Sequence, residues 1–206
     1  MVGMLQQRDP ERTRQTILEA AMRQIHRRGY RAASLADILA ETGLTRGALY
    51  HHFPNKKALG LAVLEAIGEQ MERMWLQPLA DSPDPLRALQ GALAAIRAGL
   101  DEEDIEFGCP LNNLAQEMSP MDQAFRAKVA NIYYQWRAGV ARALERGQKA
   151  GMVKPEADPE SAAAFFTGAL TGGRGLAKAA QRGEVLAMVD KELHAWLESL
   201  RPPSPA

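Results

Sequence analysis

The stretch that most constrains this chain is Ser34 to Lys57, SLADILAETGLTRGALYHHFPNKK. It leaves room for little but two short helices around a tight turn. Ser34 can cap the first helix through its hydroxyl, and Asp37, three residues on, can return the bond in a capping box. Leu35, Ile38 and Leu39 give that helix an apolar face. Thr42-Gly43-Leu44 is the break: Gly43 can take the positive φ that ends a helix, and Leu44 can fold back onto the core. Thr45 caps a second helix running to about His52, and Pro54 stops it. Leu49 and Phe53, four apart, face inward. Arg46, Gly47, Ala48, Tyr50 and His51 fall on the other faces, a small, polar and cationic surface that suits a DNA major groove. Gly47 and Ala48 let the backbone come close, while Arg46, Tyr50 and His51 reach phosphates or base edges.

In register, the whole string resembles the helix-turn-helix of the tetracycline-repressor (TetR/AcrR) family of bacterial transcription regulators. The residues that carry the resemblance are Gly29-Tyr30, Ser34, Asp37-Ile38, Thr42-Gly43-Leu44, Thr45-Arg46-Gly47, Leu49-Tyr50-His51-His52-Phe53 and Asn55-Lys56-Lys57-Ala58-Leu59. Leu39 departs from it, standing where many relatives have a small Ala that lets the two helices cross closely. The resemblance implies an all-α fold: a three-helix DNA-binding domain over residues 1–56 and a helical ligand-binding and dimerisation domain over 57–206. It also implies a DNA-facing set of Ser34, Thr45, Arg46, Gly47, Ala48, Tyr50, His51 and Lys56, the last as a phosphate contact.

Net charge is zero over 206 residues, which at first argues against nucleic acid. The distribution reverses that. Residues 1–60 hold 10 Lys+Arg and 5 Asp+Glu, and the remainder hold 15 and 20. A basic head on an acidic body is what a DNA-binding domain joined to a different module shows. The apolar run GLAVLEAIG is interrupted by Glu65, so no membrane span is expected. The N-terminus lacks the apolar core of a signal peptide. A single cysteine excludes an internal disulfide framework and fits a reducing cytoplasm.

Residues 1–8 and 201–206 read as loose ends. Between them there is no strand pattern, and about nine helices are expected. Four start with a capping side chain followed by Pro: Asp9-Pro10, Asp84-Pro85, Ser119-Pro120 and Asp158-Pro159. The expected spans are 10–29, the two reading helices, 55 to about 77, 84–100, 111–118, 120–151, 159–181 and 184–200. DEEDIE at 101–106 reads as a solvated acidic helix end or loop. A metal site there would need fixed geometry or a histidine.

Glycine inside a helix costs about 1 kcal/mol against alanine. Ala164, Gly168 and Gly172, on one face of the 159–181 helix, therefore suggest close approach of another helix. The last helix offers Val189, Leu193 and Trp196. The family resemblance implies that these two helices pair with their twofold mates, giving a homodimer whose reading helices engage half-sites about 34–36 Å apart, or a multiple. The alternative is packing within one chain.

The resemblance also implies a small-molecule pocket in the body. The expected lining is Trp75, Phe107, Cys109, Asn112, Asn113, Met118, Tyr133, Trp136, Phe165 and Phe166, a wall suited to a largely apolar effector with a few polar groups. Plain core packing is the alternative for each aromatic and Met. The run GCPLNNLAQEMSP (108–120) resembles a segment in one branch of the family. Cys109 is either an oxidant or electrophile sensor or a small buried residue. The reading is thus a dimeric, effector-released regulator, most simply a repressor of a palindromic operator on double-stranded DNA. Its alternatives are a regulator controlled through Cys109 or a protein partner, an architectural DNA-binding dimer without effector, and a small helical enzyme. The last has little support: no nucleophile–base set, HExxH, phosphate loop or CxxC occurs, and no cofactor is expected.

Overall fold

The computed structural model describes residues 9–203, so the residues 1–8 and 204–206 of the expected loose ends lie outside the described part. The chain folds as α1 (Pro10–Arg28), α2 (Leu35–Thr42), α3 (Arg46–His52), α4 (Lys56–Met71), a π-helical turn (Glu72–Leu76), α5 (Gln77–Asp81), α6 (Pro85–Gly99), α7 (Glu102–Phe107), α8 (Pro110–Met118), α9 (Gln123–Lys149), α10 (Pro159–Ala180) and α11 (Gly183–Ser199). No strand occurs among the described residues. None of their helices is long and apolar enough to cross a membrane.

The capping logic holds at most starts. The carboxylates of Asp9, Asp84 and Asp158 accept first-turn backbone N–H groups ahead of Pro10, Pro85 and Pro159. Ser119-Pro120 does not start a helix. Ser119 closes α8, Asp122 caps α9 through the N–H groups of Ala124 and Phe125, and Met121 before it is 63% exposed. DEEDIE is a helix of its own, α7, opened by a true capping box between Asp101 and Asp104. At Ser34 the expected box is only half made. Asp37 N–H donates to Ser34 Oγ at 3.0 Å, but the Asp37 carboxylate takes the Ser34 hydroxyl (2.8 Å) and Arg28 (3.2 Å) instead of the backbone.

The rod that begins at α4 runs past the expected stop at Gln77 to Asp81. Pro78 has no N–H to give Met74, and its ring would crowd that carbonyl in an α-helix. The π turn just before it widens the helix and lets the rod continue, a geometry that commonly marks functional positions. Arg201, expected in the loose tail, is tied to Asp84 at 2.9 Å and to Glu198 at 3.0 Å.

Two apolar cores result. One lies in the body, around Trp75, Leu89, Trp136, Val140, Phe166 and Leu197. The other joins the head to the body: Ile17, Ala21, Ile38, Leu49 and Phe53 share it with Leu59 and Leu64 of α4, Leu111, Leu114 and Met118 of α8, and Phe125 and Val129 of α9. Each of the Leu, Ile, Val, Met and Phe side chains among them contributes about 1.5–3 kcal/mol on burial. The head therefore takes part of its stability from helices beyond residue 56.

Candidate functional site

Helix α3 is anchored by Leu49, fully buried, and closed by Phe53. Thr45 Oγ1 accepts the Ala48 N–H at 3.2 Å, so the cap uses one face of the threonine. Gly43, at φ 66°, supplies the left-handed turn before it. Outward stand Thr45, Arg46, Gly47, Tyr50 (47% exposed) and His51, with Ala48 and Ser34 half-buried. Arg46 makes no ion pair among the described residues, whereas Arg23, Arg28 and Lys57 are paired with Glu41, Asp37 and Asp122. Lys56 sits differently from the others. Its Nζ donates to the Arg31 carbonyl at 3.0 Å and lies 4.8 Å from the Tyr30 ring centroid. Burial lowers its pKa, against the pull of Glu117.

The loop after α1 is gripped by the body. The Glu117 carboxylate of α8 accepts the backbone N–H groups of Tyr30 and Arg31, each at 2.8 Å. The Tyr30 ring packs on Phe125 at 4.7 Å, and both rings crowd Gly60, where a methyl group would lie 2.5 Å from one and 2.8 Å from the other. On the other side, His26 Nε2 donates to the Gly108 carbonyl at 2.7 Å. A carbonyl can only accept, so the ring proton is on Nε2. The same carbonyl accepts Arg174 Nη2 from α10 at 3.2 Å, and that nitrogen also reaches Asp104 at 3.2 Å. Gly108 (φ 72°) is thus held from the head and from the body at once.

Beside that point opens a cavity of about 810 Å³. The π turn contributes Arg73, Met74 and Trp75, α6 a run of small residues (Ala88, Gly91, Ala92, Ala95, Gly99), α9 Tyr133 and Trp136, and α10 Leu170, Thr171 and Arg174. Asp104, Cys109, Pro110 and Leu111 close the end. Two of the three buried side-chain polar atoms that lack a partner among the described residues belong to this lining, Tyr133 Oη and Trp136 Nε1. An unmet group of this kind costs about 1–3 kcal/mol. Burial and the nearby Cys109 thiol push the Tyr133 phenol well above its ordinary pKa, opposed by Thr171. A second hollow of about 530 Å³ between α4 and α9 is rimmed by Glu65, Glu69, Glu72, Lys128, Arg142 and Arg146, a lining suited to solvent rather than to an apolar guest.

Of the ten residues expected around a pocket, Trp75, Cys109, Tyr133 and Trp136 line this cavity. The other six do not. Phe166 is buried behind Trp75, ring edge to face at 5.5 Å. Met118 belongs to the head's core. Phe107 packs edge-on to His26, and its carbonyl accepts Asn113 Nδ2, whose own Oδ1 accepts Lys178. Asn112 lies against Gly175. Phe165 points outward, 53% exposed, stacked on Trp196 at 4.8 Å. Sequence reading missed the α6 wall and Arg174. A stripe of Ala and Gly carries no apolar signal, and one arginine on an alanine-rich helix looks like a solvated charge.

On the outer side of α10 and α11, Ala164, Gly168 and Gly172 are exposed, and a methyl group at either glycine would meet nothing within 4 Å. Phe165, Leu176 and Met188 are exposed beside them. Leu193 is 2% exposed and belongs to the chain's own core, and Val189 packs on Gly173, the glycine where α10 and α11 approach closely.

Residues 17–63 match the family described as bacterial regulatory proteins, tetR family, and residues 85–196 the tetracyclin repressor-like C-terminal domain. The chain is 30% identical over 154 residues to the HTH-type transcriptional repressor DhaR of Mycobacterium sp. (strain GP1), spanning 74% of this chain and 76% of that one. It is 28% identical over 159 residues to the transcriptional regulator AcuR of Cereibacter sphaeroides, spanning 77% and 73%. Among solved structures, a regulatory protein TetR from Rhodobacter sphaeroides superposes with a TM-score of 0.80 at 26% identity, over 89% of this chain and 97% of that one. A TetR-family regulator from Cytophaga hutchinsonii gives 0.84 at 21% identity, over 95% and 98%, a likeness of fold.

Proposed function

Because the chain belongs to the TetR family of bacterial transcriptional regulators, we propose that it binds an inverted-repeat operator as a homodimer, represses from it, and is released when a small molecule fills the 810 Å³ cavity. In this reading residues 1–56 carry DNA recognition and residues 57–206 effector binding and dimerisation. The segment 108–120 marks a branch of the family, and the protein works in the cytoplasm, where operator DNA is.

The observation that carries the reading is the division of α3. Leu49 is wholly buried while Thr45, Arg46, Gly47, Tyr50 and His51 stand exposed on a head with a basic balance. Arg46 is the base reader. Lys56 uses one N–H on the Arg31 carbonyl and keeps two for a phosphate. Ala164, Gly168, Gly172 and Trp196 form the twofold surface together with Phe165. One short helix reads too few base pairs, so two related by a twofold are required. Release requires that the effector prefer the state in which the two heads no longer match the operator.

Selection of the purified protein on random duplex DNA at physiological salt tests this. An inverted repeat whose affinity Arg46→Ala lowers at particular base pairs supports it, whereas only non-specific binding moves the architectural reading forward. A regulator answering through Cys109 is the second reading, since that thiol lines the cavity. Operator release by a thiol alkylator that Cys109→Ser leaves unchanged removes it.

A further inference from the structure

The cavity is divided by chemistry. Along the π turn and α6 most of the wall is apolar or small, with Met74, Trp75, Gly91, Ala95 and Ile96, and Arg73 and Arg87 stand on the same two elements. Its other end, where α7, α8, α9 and α10 meet, gathers Arg174, Thr171, Tyr133 and Cys109. The Arg174 side chain is only 16% exposed. Its contacts with Asp104 and the Gly108 carbonyl both use Nη2, so Nε and Nη1 have no partner among the described residues. Each of these nitrogens can give a carboxylate oxygen one charge-assisted hydrogen bond. The whole lining holds Arg73, Arg87 and Arg174 against Asp104, with Arg174 paired to Asp104 and Arg73 within 3.9 Å of Glu69.

We propose that the effector is a small carboxylic acid with an apolar body, its carboxylate held by Arg174 beside Thr171 and Tyr133 and its body lying along the small-residue wall of α6. The acid takes up N–H groups that the fold leaves unused, and it fits a volume within the range of ordinary ligand sites. It also pulls on the arginine that shares the Gly108 carbonyl with His26, so three hydrogen bonds, through Arg174 and the Gly108 carbonyl, connect the bound charge to the head. This rests on the cavity being the effector site.

The probes are matched pairs with the same body, hexanoate and hexanamide, octanoate and octanamide, 3-phenylpropanoate and 3-phenylpropanamide, measured on the full chain by calorimetry and by operator release. At least one acid binds about tenfold or more tightly than its amide, and Arg174→Gln removes that preference. Arg174→Lys keeps the charge, loses the fixed directions of the guanidinium N–H groups and retains only part of the preference. Because Arg174 also braces α7, Ala95→Phe serves as the second variant: it fills the apolar end, leaves Arg174 untouched and abolishes binding of the acid. Amides that bind as well as acids, an acid preference that survives Arg174→Gln, or no binding by any of the six overturns the proposal. Acid binding without operator release leaves this inference standing and overturns the release mechanism instead.

Discussion

The DNA-binding head and the cavity in the body are built in opposite ways. Most of the head's outward groups lie within a few residues on one short helix and its cap, from Thr45 to His51, with Ser34 and Lys56 alongside. The cavity takes its walls from the π turn, α6, α8, α9 and α10, and from Asp104 on α7, residues up to about a hundred positions apart. A local site can be changed one contact at a time. A site assembled from many elements is set by how those elements pack, so a change in one wall moves the others.

The sharpest way to break the contrast is to separate the two parts. Residues 1–56 alone should give no cooperative thermal transition, because Leu59, Leu64, Leu111, Met118 and Phe125 complete the head's core. A clear transition would make the head self-sufficient. Next in size is Glu117→Ala. It deletes two hydrogen bonds to a carboxylate that cross the seam, and about 3 kcal/mol of stability should be lost in denaturant unfolding. A loss confined to DNA affinity, with stability unchanged, would instead make Glu117 a positioning group only.

Within the head, Arg46→Ala should cost about 1–3 kcal/mol at particular base pairs of the selected operator. A uniform loss across sequences would make Arg46 a phosphate contact. Lys56→Ala should flatten the dependence of log affinity on log salt by about one unit. An unchanged slope with lowered stability would leave Lys56 only its bond to the Arg31 carbonyl. The smallest effect is on pH. Asp122 is held below its ordinary pKa chiefly by Lys57, and Asp37 chiefly by the Ser34 hydroxyl. A carboxylate depressed in the folded state stabilises fully above its unfolded pKa, near 4, and that contribution fades as pH falls through the folded value. Tm should therefore drop below about pH 4, and less steeply in Asp122→Asn.

The same contrast explains what could be read in advance. Caps, the Gly43 turn and the inward Leu49 are local events, and sequence spacing reports them directly. The long helices followed from their apolar stripes. Three features did not. The π turn arises because Pro78 falls where packing keeps the rod going, and a proline in sequence reads as a stop. The α6 wall is made of what is missing, side chains too small to fill the space opposite Trp75 and Met74. Phe165 and Phe166 are adjacent, so at 100° per residue they must part company. One enters the core and the other leaves it, and composition could not say which.

The core shared by the head with α4, α8 and α9 also bears on how such proteins diversify. If the outward residues of α3 read the operator, Arg46, Tyr50 and His51 can be exchanged for a new specificity, since only Thr45 among the outward set takes part in the helix cap. A head transplanted whole between relatives is another matter. It carries an unfinished interior, and the recipient must already supply a carboxylate at the position of Glu117, an aromatic ring at that of Phe125 and a residue without a side chain at that of Gly60. The recognition surface is free to drift, while the junction beneath it is inherited as a set.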